Sequence, residues 1–224
     1  MNQKDLPEDK TLQFLLEELA SQEAESHKLH LCIWLETYLG NPTLEEYDFA
    51  LNHIREQLSK HSFYYRYDGK PLVLLYLNGN CEAVDEVEWK NDYFSLHRIR
   101  PYQSDVWSYV QHYPQKLRKE WMPASPGIDS YLELAYIAKY VTKDPSPNYE
   151  EIRRTASRAD REDGAFYRRQ LAWAKQANPD IIFVSGWNDW QYGTQIEPAM
   201  EYEFLYVDLT AEVLGRRQET EPYR

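Results

Sequence analysis

The sequence predicts an α/β fold, and three observations predict it. Short apolar runs of strand length recur along the chain, stripes of apolar residues at helical spacing lie between them, and Leu72-Val-Leu-Leu-Tyr-Leu77 is continuously apolar, as in a parallel strand buried on both faces. Alternation of this kind implies parallel βαβ units. A length of 224 residues fits one domain with a substantial core.

Leu12, Leu15, Leu16 and Leu19 fall at i, i+3, i+4 and i+7, so residues 1–28 read as an amino-terminal segment built on an amphipathic packing helix. Leu29 to Glu36 follows as a buried strand ending on a carboxylate, and Gly40-Asn-Pro42 closes the next loop. Site residues of α/β barrels sit on loops at the carboxyl ends of the strands, which makes Glu36 a candidate. Residues 43 to 59 are expected to be helical, with Leu44, Tyr47, Leu51, Ile54 and Leu58 on one stripe. Tyr64 to Pro71 is a turn that leads into the strand Leu72–Leu77. Two weaker strands are expected, from Tyr93 to Ile99 and from Lys119 to Met122. The second runs into the loop Pro123-Ala-Ser-Pro-Gly-Ile-Asp129, where Asp129 reads as a turn former. Residues 131 to 141 are helix-like, and Thr142 to Asn148 form a proline-rich loop. The mixed charges from Arg158 onward pass into a helix carrying Phe166, Leu171 and Trp173. Asn178-Pro-Asp180 signals a turn before the last strand, Ile181-Ile-Phe-Val-Ser185. Tyr202, Leu205, Tyr206, Leu209 and Val213 give a closing amphipathic helix.

Five strands are therefore expected, near residues 29, 72, 93, 119 and 181. A closed barrel needs eight strands and usually about 250 residues. The expected architecture is a partial (β/α)8 TIM-type barrel of about five carboxyl-terminal βα units over residues 29–215, with a polar tail at 216–224. An open piece of this kind exposes sheet edges, an aggregation liability unless something covers them.

The formal net charge of −12 and the lack of a long basic run argue against nucleic acid or an anionic membrane surface as partner. The polar segment Met1 to Lys10 and the absence of a long apolar run predict neither a secretion signal nor a membrane span, hence a cytoplasmic chain. Cys32 and Cys81 suggest neither a disulfide framework nor a metal cluster. His27, His30, His53, His61, His97 and His112 lack ligand spacing beyond scattered pairs, so neither metal nor cofactor is expected. Oligomeric state is not readable.

The densest concentration of chemistry is Trp187-Asn-Asp-Trp-Gln-Tyr-Gly-Thr-Gln-Ile-Glu-Pro198, directly after the last strand. Asp189, Gln191, Thr194, Gln195 and Glu197 are polar groups at a strand's carboxyl end, and Trp187, Trp190 and Tyr192 offer flat faces suited to stacking on sugar rings. The bland alternative is a surface loop whose tryptophans plug a barrel rim.

This stretch resembles the pattern Asn-Glu-Trp-x-Glu-Gly-Thr-x-Ile-Glu-Pro of glycoside hydrolase family 99, the endo-α-mannosidases, and of the related WbsX family, often labelled glycosyltransferase. The Asp68-Gly-Lys-Pro71 turn with its following strand, the loop ending at Asp129, and the spacing of Arg158, Arg161, Gly164 and Tyr167 are similar to segments of the same families. The resemblance runs from about residue 29 to the end and matches the carboxyl-terminal portion of those proteins. It implies a carbohydrate-active barrel that hydrolyses or transfers α-linked, mannose-type glycosides, with an oligosaccharide as partner. Asn188, Trp190, Thr194, Gln195, Asp129 and Arg158 join Trp187 as implied substrate-binding residues.

The resemblance also implies a retaining mechanism in which one Glu deprotonates the sugar 2-hydroxyl and a second protonates the leaving oxygen. Asp189 and Tyr192 stand at those two positions, so both are substituted. Asp is one methylene shorter, and a misplacement of about 1 Å can cost on the order of 100-fold in rate. A phenol with an unperturbed pKa of about 10 is poorly matched to acid catalysis near neutrality. Three readings follow: Glu197 or Glu36 replaces the lost acid; the loop binds sugar without turnover; or the chain is a remnant of a longer enzyme.

Overall fold

The computed structural model describes residues 7–21, 29–36, 42–76, 83–99 and 121–215. The chain divides into two compact units, Met1–Arg100 and Pro101–Arg224.

The first unit opens with helix α1 (Pro7–Ser21), whose Leu19 is buried and whose Leu12 and Leu16 pack on the core, while Leu15 faces solvent. Strand β1 (Ile33–Glu36) is shorter than expected. Leu31 is bound elsewhere, donating to the Phe63 carbonyl at 3.1 Å and accepting from the Tyr65 N–H at 2.7 Å, so the ladder begins only at Ile33. Helix α2 (Leu44–His53) starts at a capping box: Thr43 Oγ1 accepts from the Glu46 N–H, and the Glu46 carboxylate accepts from the Thr43 N–H at 2.8 Å. It continues through a π-helical stretch, Ile54–Leu58, that keeps the apolar stripe buried.

Strands β2 (Arg66–Tyr67) and β3 (Lys70–Tyr76) form a hairpin across Asp68 and Gly69, both at positive φ. The expected turn thus carries a short strand of its own, and β3 starts two residues early. Helix α3 (Val84–Lys90), which the sequence reading did not assign, bridges to β4 (Ser95–Ile99). That strand starts two residues late because the Asn91 side chain brackets Phe94, donating to its carbonyl and accepting from its N–H. The central β3 pairs in parallel with β1 on one side and β4 on the other. Its Val73 and Leu75 are fully buried in a cluster with Tyr47, Leu51, Ile54 and Leu58 from the α2 segment and Val87 from α3.

The second unit comprises β5 (Trp121–Ala124), β6 (Ile128–Asp129), α4 (Tyr131–Tyr136), α5 (Tyr149–Thr155), β7 (Arg158–Ala159), α6 (Ala165–Ala177), β8 (Ile181–Val184) and α7 (Leu205–Leu214). Strand β5 extends to Ala124, beyond the expected end at Met122, because Met122 and Ala124 are both buried in the ladder with β8. The chain turns only at Gly127, where φ is 150° and a Cβ would meet the Ala159 carbonyl oxygen at 2.8 Å. The charge run at Arg158 is not a solvated helix start: Arg158 and Ala159 form a strand antiparallel to Ile128 and Asp129. Helix α7 begins at Leu205 rather than Tyr202, since Tyr202 and Glu203 turn back onto the Ala199 carbonyl. Its core joins Ala124, Tyr167, Leu171, Ile196, Tyr206 and Leu209.

All five expected strands are present. Among the described residues they form separate sheets and do not close into a barrel. Gly40, Cys81, His27, His112, Lys119 and the tail at 216–224 lie outside the described residues. Among the described residues, no helix is long and apolar enough to cross a membrane.

Candidate functional site

Strand β8 delivers the chain into residues 185–198, at the carboxyl end of a parallel ladder. The loop is held by its own backbone: the Gly186 N–H donates to the Thr194 carbonyl at 3.0 Å, and Ile196 and Glu197 both donate to the Trp187 carbonyl, at 3.0 and 2.8 Å. A single 3-10 turn over Trp190–Tyr192 ends at Gly193, left-handed at φ 63°, whose added Cβ would press on the Asp129 backbone at 3.1 Å. The glycine therefore lets the loop lie directly against β6.

Arg161 fastens this loop from the other side. Its Nη2 donates to the carbonyls of Gly193 and Gln195, both at 2.9 Å, while the guanidinium lies 4.6 Å from the Tyr206 ring centre and 5.3 Å from that of Tyr202. The two other residues of that segment are structural. Gly164 has φ 89° and would clash with Leu209 if it carried a Cβ, and buried Tyr167 shares a hydrogen bond with Thr210 at 2.9 Å.

Asp189 sits half-buried inside the loop. The Thr194 hydroxyl donates to its Oδ2 at 3.3 Å, and Thr194 is itself fully buried. Burial pushes the Asp189 carboxyl above its ordinary pKa and the charge of Glu133 adds to the rise, against the lowering effects of the Thr194 hydroxyl and the Tyr192 N–H. Tyr192 donates its hydroxyl to Glu133 Oε1 on helix α4. Trp187 is 55% and Trp190 44% exposed, and Asn188 is exposed beside them. The Trp190 indole N–H donates to Glu197 Oε2 at 2.9 Å.

Beside the loop is an open cleft of about 590 Å³, lined by Ile128, Asp129, Arg158, Asp160, Arg161 and Gly193. Asp129 has the turn-forming part: its carboxylate accepts from the Tyr131 N–H at 3.1 Å to start α4, and it also pairs with Arg158 at 3.3 Å in the cleft wall.

The expected site residues therefore separate. Asp189, Tyr192, Trp187, Asn188, Trp190, Asp129 and Arg158 are brought to one end of the second unit with part of their surface open. Thr194 and Gln195, at 0% and 7% exposure, lie beneath the loop and do not present a face to a ligand; their contribution is to position Asp189 and to anchor Arg161. Glu197 is committed to Trp190. Glu36 ends β1 in the first unit, opposite Tyr76, with an exposed side chain whose pKa is raised by partial desolvation.

Sequence reasoning missed Glu133. It sits four residues after Asp129 on a short helix and carries no motif of its own; only the three-dimensional neighbourhood of Tyr192 reveals it. Arg161 had a signal, its place in the Arg-x-x-Arg-x-x-Gly-x-Tyr spacing, although its clamp on the loop carbonyls did not follow from that.

No protein-family model matches the chain. Solved structures resemble it, two of them of one enzyme. One is the GH99 endo-α-mannosidase from Bacteroides thetaiotaomicron in complex with BIS-TRIS-propane, at 18% identity over 83% of this chain and 69% of that one, with a TM-score of 0.56. A second structure of the GH99 endo-α-mannosidase from that organism matches at 17% identity over 88% of this chain and 70% of that one, with a TM-score of 0.55. At such identity the likeness is one of fold, and on that ground the chain has a fold like that of the family 99 endo-α-mannosidases.

Proposed function

We propose that the chain is a carbohydrate-active protein of partial (β/α)-barrel type that hydrolyses or transfers α-linked, mannose-type glycosides at the β8 loop. The observation that carries this reading is the half-buried Asp189 between two exposed tryptophans, at the carboxyl end of a parallel strand in a fold like that of endo-α-mannosidases. Burial that raises the pKa of a carboxyl group moves it toward the range in which it can hand a proton to a leaving oxygen. Flat aromatic faces with a polar edge suit stacking on sugar rings. The cleft wall offers a carboxylate at Asp129 and a guanidinium at Arg158 as hydrogen-bond partners for hydroxyls.

A second reading, sugar binding without turnover, is favoured by one observation: Tyr192 and Glu197, two of the groups at or near the acid position, are each committed to a neighbour, Glu133 and Trp190. Titration calorimetry with α-linked mannose oligosaccharides, run beside a reducing-end assay on the same compounds, separates the two. Binding together with release of product is the expected result. Binding alone replaces the enzyme by a binding module, and neither event removes the carbohydrate assignment.

A further inference from the structure

The Tyr192 hydroxyl has one proton, and it is directed at Glu133 Oε1. A phenol that donates to a carboxylate has no proton left for a leaving oxygen; what its oxygen still offers is a lone pair. The position therefore changes polarity relative to a carboxylic acid placed there. The partner position changes in the opposite sense. Asp189 is set back by one methylene relative to a Glu, half-buried, and in the field of the Glu133 carboxylate, an arrangement that favours its protonated form.

We propose that Tyr192 is the nucleophile of this site, that Glu133 is the positioning residue that accepts its proton, and that Asp189 is the acid and later the base. The inference rests on the glycoside-cleaving reading given above. Tyrosine is among the side chains that form covalent intermediates, and an adjacent base is what activates it. A phenol paired with a carboxylate also presents an uncharged nucleophile.

The steps balance. Tyr192 Oη bonds to the anomeric carbon while its proton passes to Glu133; the glycosidic C–O bond breaks and Asp189 gives its proton to the departing oxygen. A water molecule then attacks the anomeric carbon, losing a proton to Asp189. The C–O bond to Tyr192 breaks, and Glu133 returns the proton to the phenolate. The sum is one glycoside and one water converted to a reducing sugar, its anomeric carbon now a hemiacetal, and one alcohol, with no oxidant or metal. The charged groups that meet this turn are Glu133 on α4, Asp129 on β6, whose backbone lies against Gly193, and Asp189 and Glu197 within the loop, with Arg161 held on the loop carbonyls.

The test uses the full chain and α-mannose oligosaccharides carrying a 2,4-dinitrophenyl leaving group, which departs without protonation. Asp189→Asn is expected to keep its first step on this substrate and to lack the base for the second. It should therefore show a burst of dinitrophenolate and a glycosyl adduct that peptide mass mapping places on Tyr192. Tyr192→Phe should lose about 100-fold or more on the same substrate. Glu133→Gln should lose a similar factor near neutrality and recover at alkaline pH, toward the ordinary phenol range of about 10, where a phenol needs no neighbouring base. A purely structural part for Glu133 produces no such recovery, and circular dichroism shows that the variants are folded.

The assignment is overturned if the adduct maps to another residue, if Tyr192→Phe retains activity on the dinitrophenyl substrate, or if Glu133→Gln loses activity equally at all pH. Those outcomes leave glycoside cleavage standing. A wild-type chain inert on every such glycoside overturns the cleavage reading, and this mechanism with it.

Discussion

Strand β3 and the loop after β8 are both made of neighbouring residues, yet they hold their shapes in opposite ways. In β3 every residue from Pro71 to Tyr76 is buried, and the strand is fixed by ladders on both sides and by apolar packing against α2 and α3. In the loop, Trp187, Asn188 and Trp190 face solvent, and the shape depends on a few directed bonds: Arg161 on two carbonyls, Thr194 on Asp189, Tyr192 on Glu133. Apolar packing is non-directional and spread over many contacts, so it tolerates small errors. Directed polar bonds fix individual atoms to within fractions of an ångström, which chemistry requires. Stability and activity should therefore be separable by mutation.

The largest effect is expected from the loop. Asp189→Asn on an unactivated α-mannose oligosaccharide should lower kcat/KM by about 100- to 10,000-fold, the range for loss of an acid–base group. The same variant should unfold at no lower denaturant concentration than the wild type, because it removes a carboxylate that burial disfavours. Steady-state kinetics beside urea unfolding read the two. A fall in both together would break the separation.

The converse belongs to β3. Leu75→Ala leaves a cavity in the first unit's core and should cost about 2–5 kcal/mol, read from the denaturant midpoint. Activity per folded molecule should be unchanged within a factor of about two, well below the losses expected at the loop. Together the two variants form a crossed pair, one losing chemistry and one losing stability.

The same contrast explains how much could be read from the chain. The run Leu72–Leu77 and the stripe of Leu44, Tyr47, Leu51, Ile54 and Leu58 are periodic, and their partners are other periodic segments, so β3 and α2 are legible locally. Helices α3 and α5 are seven residues each, too short to present a stripe, and went unassigned. Strand β7 is a two-residue strand inside a charge run, where composition points to a solvated face. Within the site, residue types near Trp187–Pro198 pointed to the loop, but the partners came from elsewhere in the chain. Glu133 is 59 residues from Tyr192, and Arg161 is 32 from Gly193. Burial was the other invisible quantity: Thr194 and Gln195 read as ligand contacts and are instead beneath the loop.

Arg161 offers an intermediate test, since it is the clamp rather than the chemistry. Arg161→Lys keeps the charge but loses the planar guanidinium that lies against Tyr202 and Tyr206 and aims Nη2 at both carbonyls. Loosening of Gly193 and Gln195 should lower kcat/KM about tenfold, less than the roughly 100-fold that a full 1 Å displacement costs. A loss as large as that of Asp189→Asn would mean that Arg161 touches the substrate, which its place in the cleft wall makes checkable by a change in KM without kcat.

The smallest effect is the most specific to Asp189. The Thr194 hydroxyl stabilises the Asp189 carboxylate and so lowers its pKa, against burial and Glu133, which raise it. Thr194→Val removes only the lowering influence. If Asp189 acts in its protonated form, activity falls as pH rises through its pKa, so the descending limb of the kcat/KM profile should move to higher pH in the variant. Linkage gives an independent readout with the same sign. Because folding raises this pKa above its unfolded value of about 3.9, the associated stability is fully present below that value and is lost as pH rises through the folded pKa. Thr194→Val should extend that loss to higher pH, and Asp189→Asn should abolish it. Urea midpoints measured across acidic to neutral pH read the trend directly. A limb that moves to lower pH, or a stability profile indifferent to both substitutions, would show that the titrating group in this loop is not Asp189 and would return the loop to the same footing as β3, a structure held by packing.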